Sequence, residues 1–110
     1  MTEQKEKMGV YRQIIKNYPD VVEALKTLGE TVRTCGPIDA KTSQLIQLAA
    51  AAATQSTGSV HSHVRRALEA GSTRQEIEHT LLLLISVMGF PKTAAAMSWA
   101  AETLDEEAPA

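Results

Sequence analysis

Cysteine is almost absent from this 110-residue chain: Cys35 stands alone. One thiol cannot close a disulfide within the chain, which excludes both a disulfide scaffold and an intramolecular dithiol redox cycle. A lone free cysteine fits a reducing, cytoplasmic compartment. Aromatic residues make up only 4% of the chain. The core must therefore come from Ala, Leu, Ile and Val, which let elements approach closely but bury little area each. Basic runs are also missing. The longest is Arg65-Arg66 and the formal net charge is −2, so nothing resembles the basic stripe that nucleic acid requires. No apolar run is long enough for a bilayer: Leu81 to Met88, with Ser86 inside it, covers well under half of a span. Met1 to Lys7 is polar and charged, unlike a secretory signal. The expected protein is cytoplasmic, with neither a nucleic-acid nor a membrane partner.

What is present is helical periodicity. No two-residue alternation occurs, and the expectation is an all-α fold of five or six helices in a single compact domain, residues 1–110. Val10, Ile14 and Ile15 mark a short helix to about Asn17. Pro19 opens a second helix, lined by Val21, Val22, Leu25, Leu28 and Val32 and ended by Cys35-Gly36-Pro37. Asp39 is a cap for a third helix, Ala40 to about Thr54, whose alanine run Ala49–Ala53 gives a narrow cross-section. A fourth spans about Ser59 to Ala70, with Gly71 as its stop. Thr73 with Glu76 reads as a capping box opening a fifth, which turns apolar nearly all round from Leu81 to Met88. A helix without a polar face must be covered on every side, so this segment is expected in an interface shared between subunits. Gly89-Phe90-Pro91 breaks the chain, and a sixth helix follows to Leu104 with Met97 and Trp99 as anchors. Residues 1–8 and the acidic end, 105–110, are expected to be flexible.

The most site-like segment runs from Ser56 to Gly71. Ser56, Ser59 and His63 are spaced three and four apart and share one helical face. They lie at a helix N-terminus, where free N–H groups favour an anion, and His63 is the side chain suited to moving a proton near neutrality. The same residues also read as ordinary helix caps and a satisfied core histidine.

The run His63, Ala67, Gly71, Thr73, Glu76, Ile77 resembles the H-x3-A-x3-G-x-T/S-x2-E-I signature of the carboxymuconolactone decarboxylase and alkylhydroperoxidase D superfamily. Lys41 to Ile46 is similar to that family's Lys-x2-Glu-Leu-Ile helix, and Gly89-Phe90-Pro91 to its Gly-x-Pro break. The likeness covers about residues 20–104 and implies an alkylhydroperoxidase D-like helical fold. In the peroxidase branch a glutamate precedes a C-x2-C-x3-H motif by twelve residues. Carried over by position, the histidine falls on His63, the cysteines on Ser56 and Ser59, and the glutamate on Gln44. A serine hydroxyl neither ionises readily nor forms a disulfide, and glutamine cannot accept a proton as glutamate can, so dithiol peroxidase activity is expected to be absent. The decarboxylase branch does without the cysteine pair. The resemblance then implies a small-molecule lyase in which His63 is the proton donor, with Ser59 beside it as a catalytic candidate. Ser56, Gln44 and His61 would bind a small anionic substrate, and no cofactor is required. The other reading is a non-catalytic binding or scaffolding relative. Family members are often trimers or hexamers, so the expected partner is a second copy of the chain.

Two further features carry weaker signals. His61 and His63 form an H-x-H pair, but residues two apart on a helix point about 200° apart, and His79 completes no standard zinc spacing; no metal is expected. His61 is expected on the solvent side or at an interface. Cys35 is expected to be an exposed, ordinary thiol, with Arg33 its nearest basic neighbour in sequence.

Overall fold

Alanine, leucine and straight-chain polar residues favour helix, and among the described residues the chain forms helices and no strand. The computed structural model of the protein describes the backbone of residues 3–109 and the side chains of residues 9–109. The ends expected to be flexible fall partly outside that description. The chain divides into two compact units, Met1–Asp39 and Ala40–Ala110.

The first unit holds α1 (Glu3–Asn17) and α2 (Pro19–Thr34). The first helix begins at Glu3 rather than near Val10, because residues 3–8 are strong helix formers despite lacking an apolar stripe. Tyr18 separates the two helices in a non-helical conformation, and Pro19 occupies the first turn of α2, where its missing N–H leaves nothing unpaired. Val22 is buried, whereas the other large apolar residues of α2 are exposed.

The second unit holds α3 (Ala40–Ala53), α4 (Thr57–Glu69), α5 (Arg74–Leu82), α6 (Ile85–Met88) and α7 (Phe90–Glu107). Its core joins Leu48, Ala51 and Ala52 of α3 to Val60, Val64 and Ala67 of α4, Ile77 and Leu81 of α5, and Ala96, Ala100 and Leu104 of α7. Of the alanine run, Ala51 and Ala52 face inward while Ala50 and Ala53 do not. That is the outcome of helical periodicity acting on a uniform sequence. Trp99 and Met97 pack against the edge of this core.

Leu81–Met88, expected to continue the fifth helix, is instead interrupted. The Leu84 N–H bonds the Leu81 carbonyl at 3.0 Å, three residues back, and a four-residue helix restarts at Ile85. Three-residue spacing eclipses side chains, so Leu81 and Leu84 both turn to the core, and Met88 joins them. Leu82, Leu83, Ile85 and Val87 are left exposed. Packing thus chose a tightened turn over the regular ladder that the pattern suggested.

Candidate active site

The turn between α3 and α4 sets the site. Gln55 adopts φ 58°. The Gln55 N–H bonds the Ala52 carbonyl at 3.1 Å, and the Ser56 N–H bonds the Ala51 carbonyl at 3.0 Å. This is a Schellman stop with glutamine where glycine is usual, a left-handed residue of the kind that concentrates strain near functional sites. No sequence signal pointed to Gln55. A glycine there would have marked the turn, and glutamine hides it.

Ser56 occupies the N-cap position of α4, yet its side chain caps nothing. Its hydroxyl donates instead to the Ser59 hydroxyl at 2.9 Å. One turn further along α4, His63 Nδ1 lies 2.9 Å from Gln44 Oε1. With an amide oxygen as acceptor, Nδ1 carries the proton of the neutral ring, and proton exchange falls to Nε2. Gln44 comes from α3 and is 7% exposed, while His63 is half-buried, so the contact is a partly buried link across the α3–α4 hairpin. The structure therefore shows two hydrogen-bonded pairs along that hairpin: Ser56 with Ser59, and Gln44 with His63.

His61 does not join them. Expected toward solvent or an interface, it is buried at 3% exposure, because the opposite face of α4 packs on α7. Its Nδ1 lies 2.6 Å from the Thr103 hydroxyl. Its Nε2 has no hydrogen-bond partner, with Glu102 Oε2 3.5 Å away. Burial, the largest influence, holds the His61 pKa below the ordinary histidine value; Glu102 and Glu106 oppose that shift and Arg65 adds to it. His61 thus stays neutral as a strut between α4 and α7. The two histidines of the H-x-H pair diverge, as a two-residue offset requires. His79 is exposed in the last turn of α5, and Cys35 is exposed at the end of α2.

The helix following the site is fixed by the expected capping box. The Glu76 N–H donates to the Thr73 hydroxyl at 3.0 Å, and the Thr73 N–H donates to Glu76 Oε1 at 2.9 Å. Glu76 Oε2 also meets Lys41 Nζ of α3 at 2.7 Å. Lys41 first, then the Thr73 N–H, hold the Glu76 carboxyl below its ordinary pKa. Lys41, Glu76 and Thr73 therefore act in register, tying the start of α3 to the start of α5.

These residues lie within the stretch that matches a known family. The model of the carboxymuconolactone decarboxylase family matches residues 19–102, most of the chain. The chain belongs to the carboxymuconolactone decarboxylase family. No curated protein matches it. Among solved structures it is similar to the crystal structure of an apo carboxymuconolactone decarboxylase family protein from Legionella pneumophila. The identity is 26% and the TM-score 0.78, over 93% of this chain and 90% of that one. Within this family fold, the helical hairpin carrying Gln44 and His63 and the capped helix after Gly71 belong to one matched block. Among the described residues, no helix is long and apolar enough to cross a membrane.

Proposed function

We propose that this family member is a small-molecule lyase of the decarboxylase type, with His63 as the proton donor and no dithiol peroxidase activity. The observation that carries this reading is the Gln44–His63 hydrogen bond. It ties the ring to α3 across the hairpin, and in this reading the moving proton sits on Nε2. Loss of CO2 from a lactone acid breaks the carbon–carboxyl bond and leaves its electron pair as an enolate. The enolate oxygen needs a hydrogen-bond or dipole stabiliser, and the carbon needs a proton. In this reading Ser56, Ser59 and the N-terminus of α4 receive the anionic substrate. Protonated His63 delivers its Nε2 proton to carbon and regains one from water. His61 assists from behind by holding α4 on α7, rather than by touching substrate. With serine at both positions 56 and 59, a thiolate attack on peroxide has no nucleophile in this site.

The test is CO2 release from a panel of small lactone acids. His63→Ala should keep the helical content and assembly and lose about 10²- to 10⁴-fold in turnover, the usual contribution of general acid catalysis. Equal turnover in that variant would remove His63 from the mechanism.

A second reading, a non-catalytic oligomeric binding or scaffolding relative, is favoured by one observation. Ser56 and Ser59 bond each other and Gln44 bonds His63, so each of these polar groups has a partner without a ligand. That reading expects no CO2 release from any lactone acid by the native chain, and no change in melting temperature with small carboxylates.

In both readings the chain acts as a homo-oligomer in the cytoplasm, a trimer or hexamer. Exposure of Leu82, Leu83, Ile85, Val87 and Phe90 supports an interface along this segment, since apolar surface left uncovered by the chain is available to a second copy. The small anionic metabolite is the remaining partner, and no cofactor enters the reaction.

A further inference from the structure

A second apolar surface lies on α2, independent of the chemistry at His63. Val21, Leu25, Leu28 and Val32 are each more than half exposed. They are spaced four, three and four apart, the a/d repeat of a helix that pairs with another helix. A helix packed on a broad core would show a wider apolar face. Every charged residue of α2 lies off this seam, and the flanking positions Ala24, Gly29 and Thr31 are small and uncharged. The seam itself therefore carries no charge, and small flanks permit close approach. Beside Leu28 an open trough is lined by Asp20, Glu23, Ala24, Thr27 and Thr31, and its two carboxylates set it at the rim of the seam rather than within it.

The order of the stripe identifies the occupant. Val, Leu, Leu, Val reads the same in both directions, and so does its spacing. A two-fold axis passing between Lys26 and Thr27 lays Val21 against Val32 of a second copy and Leu25 against Leu28 of that copy. A parallel two-stranded pair favours the β-branched residue at a and leucine at d, whereas here each position holds one valine and one leucine. We propose that α2 pairs antiparallel with α2 of a second copy of this chain, forming a closed, self-complementary two-fold contact.

Cys35 continues the same register, three residues after Val32, and is exposed. Antiparallel pairing puts the two copies of Cys35 at opposite ends of the seam, about 25 Å apart at 1.5 Å per residue. Parallel pairing would bring them face to face.

Light scattering on the full chain tests the pairing. Leu25→Glu with Leu28→Glu should halve the native mass, with helical circular dichroism unchanged because both side chains are exposed. Val87→Glu, on the other apolar surface, should leave the two-fold pair intact, so the two contacts fail separately. For orientation, Val21→Cys and Val32→Cys chains, each also carrying Cys35→Ser, should crosslink on oxidation when mixed and far less when alone. An unchanged mass in the double glutamate variant would overturn the proposal. So would a native chain that is monomeric at micromolar concentration, the result expected if α2 serves a different protein, or an efficient Cys35–Cys35 crosslink.

Discussion

In residues 40–110, Leu48, Val60, Val64 and Ile77 are all 0% exposed, while in residues 1–39 Leu25 stands at 60% and Leu28 at 57%. Val22 is the buried core residue among the described residues of that first unit. Both units carry apolar residues at helical spacing, and the spacing alone gives no hint of this difference. In the second unit five helices supply faces for one another, so each stripe finds a cover within the chain. In the first unit α1 and α2 offer each other too little surface, and the α2 seam remains open. Periodicity reports which side of a helix avoids water; it does not report what covers that side.

Truncation at the two kinds of position separates the two units most directly. Leu81→Ala, in the filled core, should cost about 2–5 kcal/mol in denaturant unfolding, since the surrounding helices can collapse only partly into the space. Leu25→Ala should change the unfolding free energy of the dissociated chain by less than about 0.5 kcal/mol. Similar costs at both sites would show that the first unit is no less consolidated than the second.

A smaller effect is expected at His61, where the filled unit encloses a titratable ring. Because burial lowers its pKa in the folded chain, the unfolded chain takes up that proton more readily. The His61 contribution to stability is therefore complete above the ordinary histidine value. It is lost as pH falls through that value toward the lowered one, and levels off below it. Melting temperature followed from pH 8 down to about pH 5 should fall less steeply in His61→Asn, which keeps a polar partner for Thr103, than in the native chain. Parallel curves would show that His61 contributes no acid sensitivity.

Smaller again is the helix start at Thr73. Removing its hydroxyl in Thr73→Ala deprives the Glu76 N–H of its partner and should cost about 1 kcal/mol, read from the denaturation midpoint at an unchanged slope. A cost near zero would mean that the Lys41–Glu76 pair holds the start of α5 without the cap.

The parts of the fold that were legible are those governed by local chemistry. Pro19, Gly71 and the Thr73–Glu76 box each act over three or four residues, so their effects survive any tertiary arrangement. The break inside Leu81–Met88 was not legible, because a uniformly apolar run gives no preference between a regular helix and a tightened turn. The choice came from Leu81 and Leu84 both reaching the core. Gln55 was also invisible, since nothing about glutamine advertises a left-handed conformation. At the site, helical spacing placed Ser56, Ser59 and His63 on one face. The position of Gln44 came from the family resemblance, nineteen residues away in sequence from the ring it contacts.

The two histidines of α4 mark where local reading stops. The sequence by itself determined that His61 and His63 face opposite ways, because a helix turns about 200° over two residues. It determined the all-α class, through period and propensity, and the lack of a thiol pair, through one cysteine. Only the tertiary structure decided that His61 is the enclosed strut and His63 the ring held by Gln44. Burial and partnership depend on what α3 and α7 bring from distant positions, and hydrophobic packing sums over the whole chain rather than over neighbours in sequence.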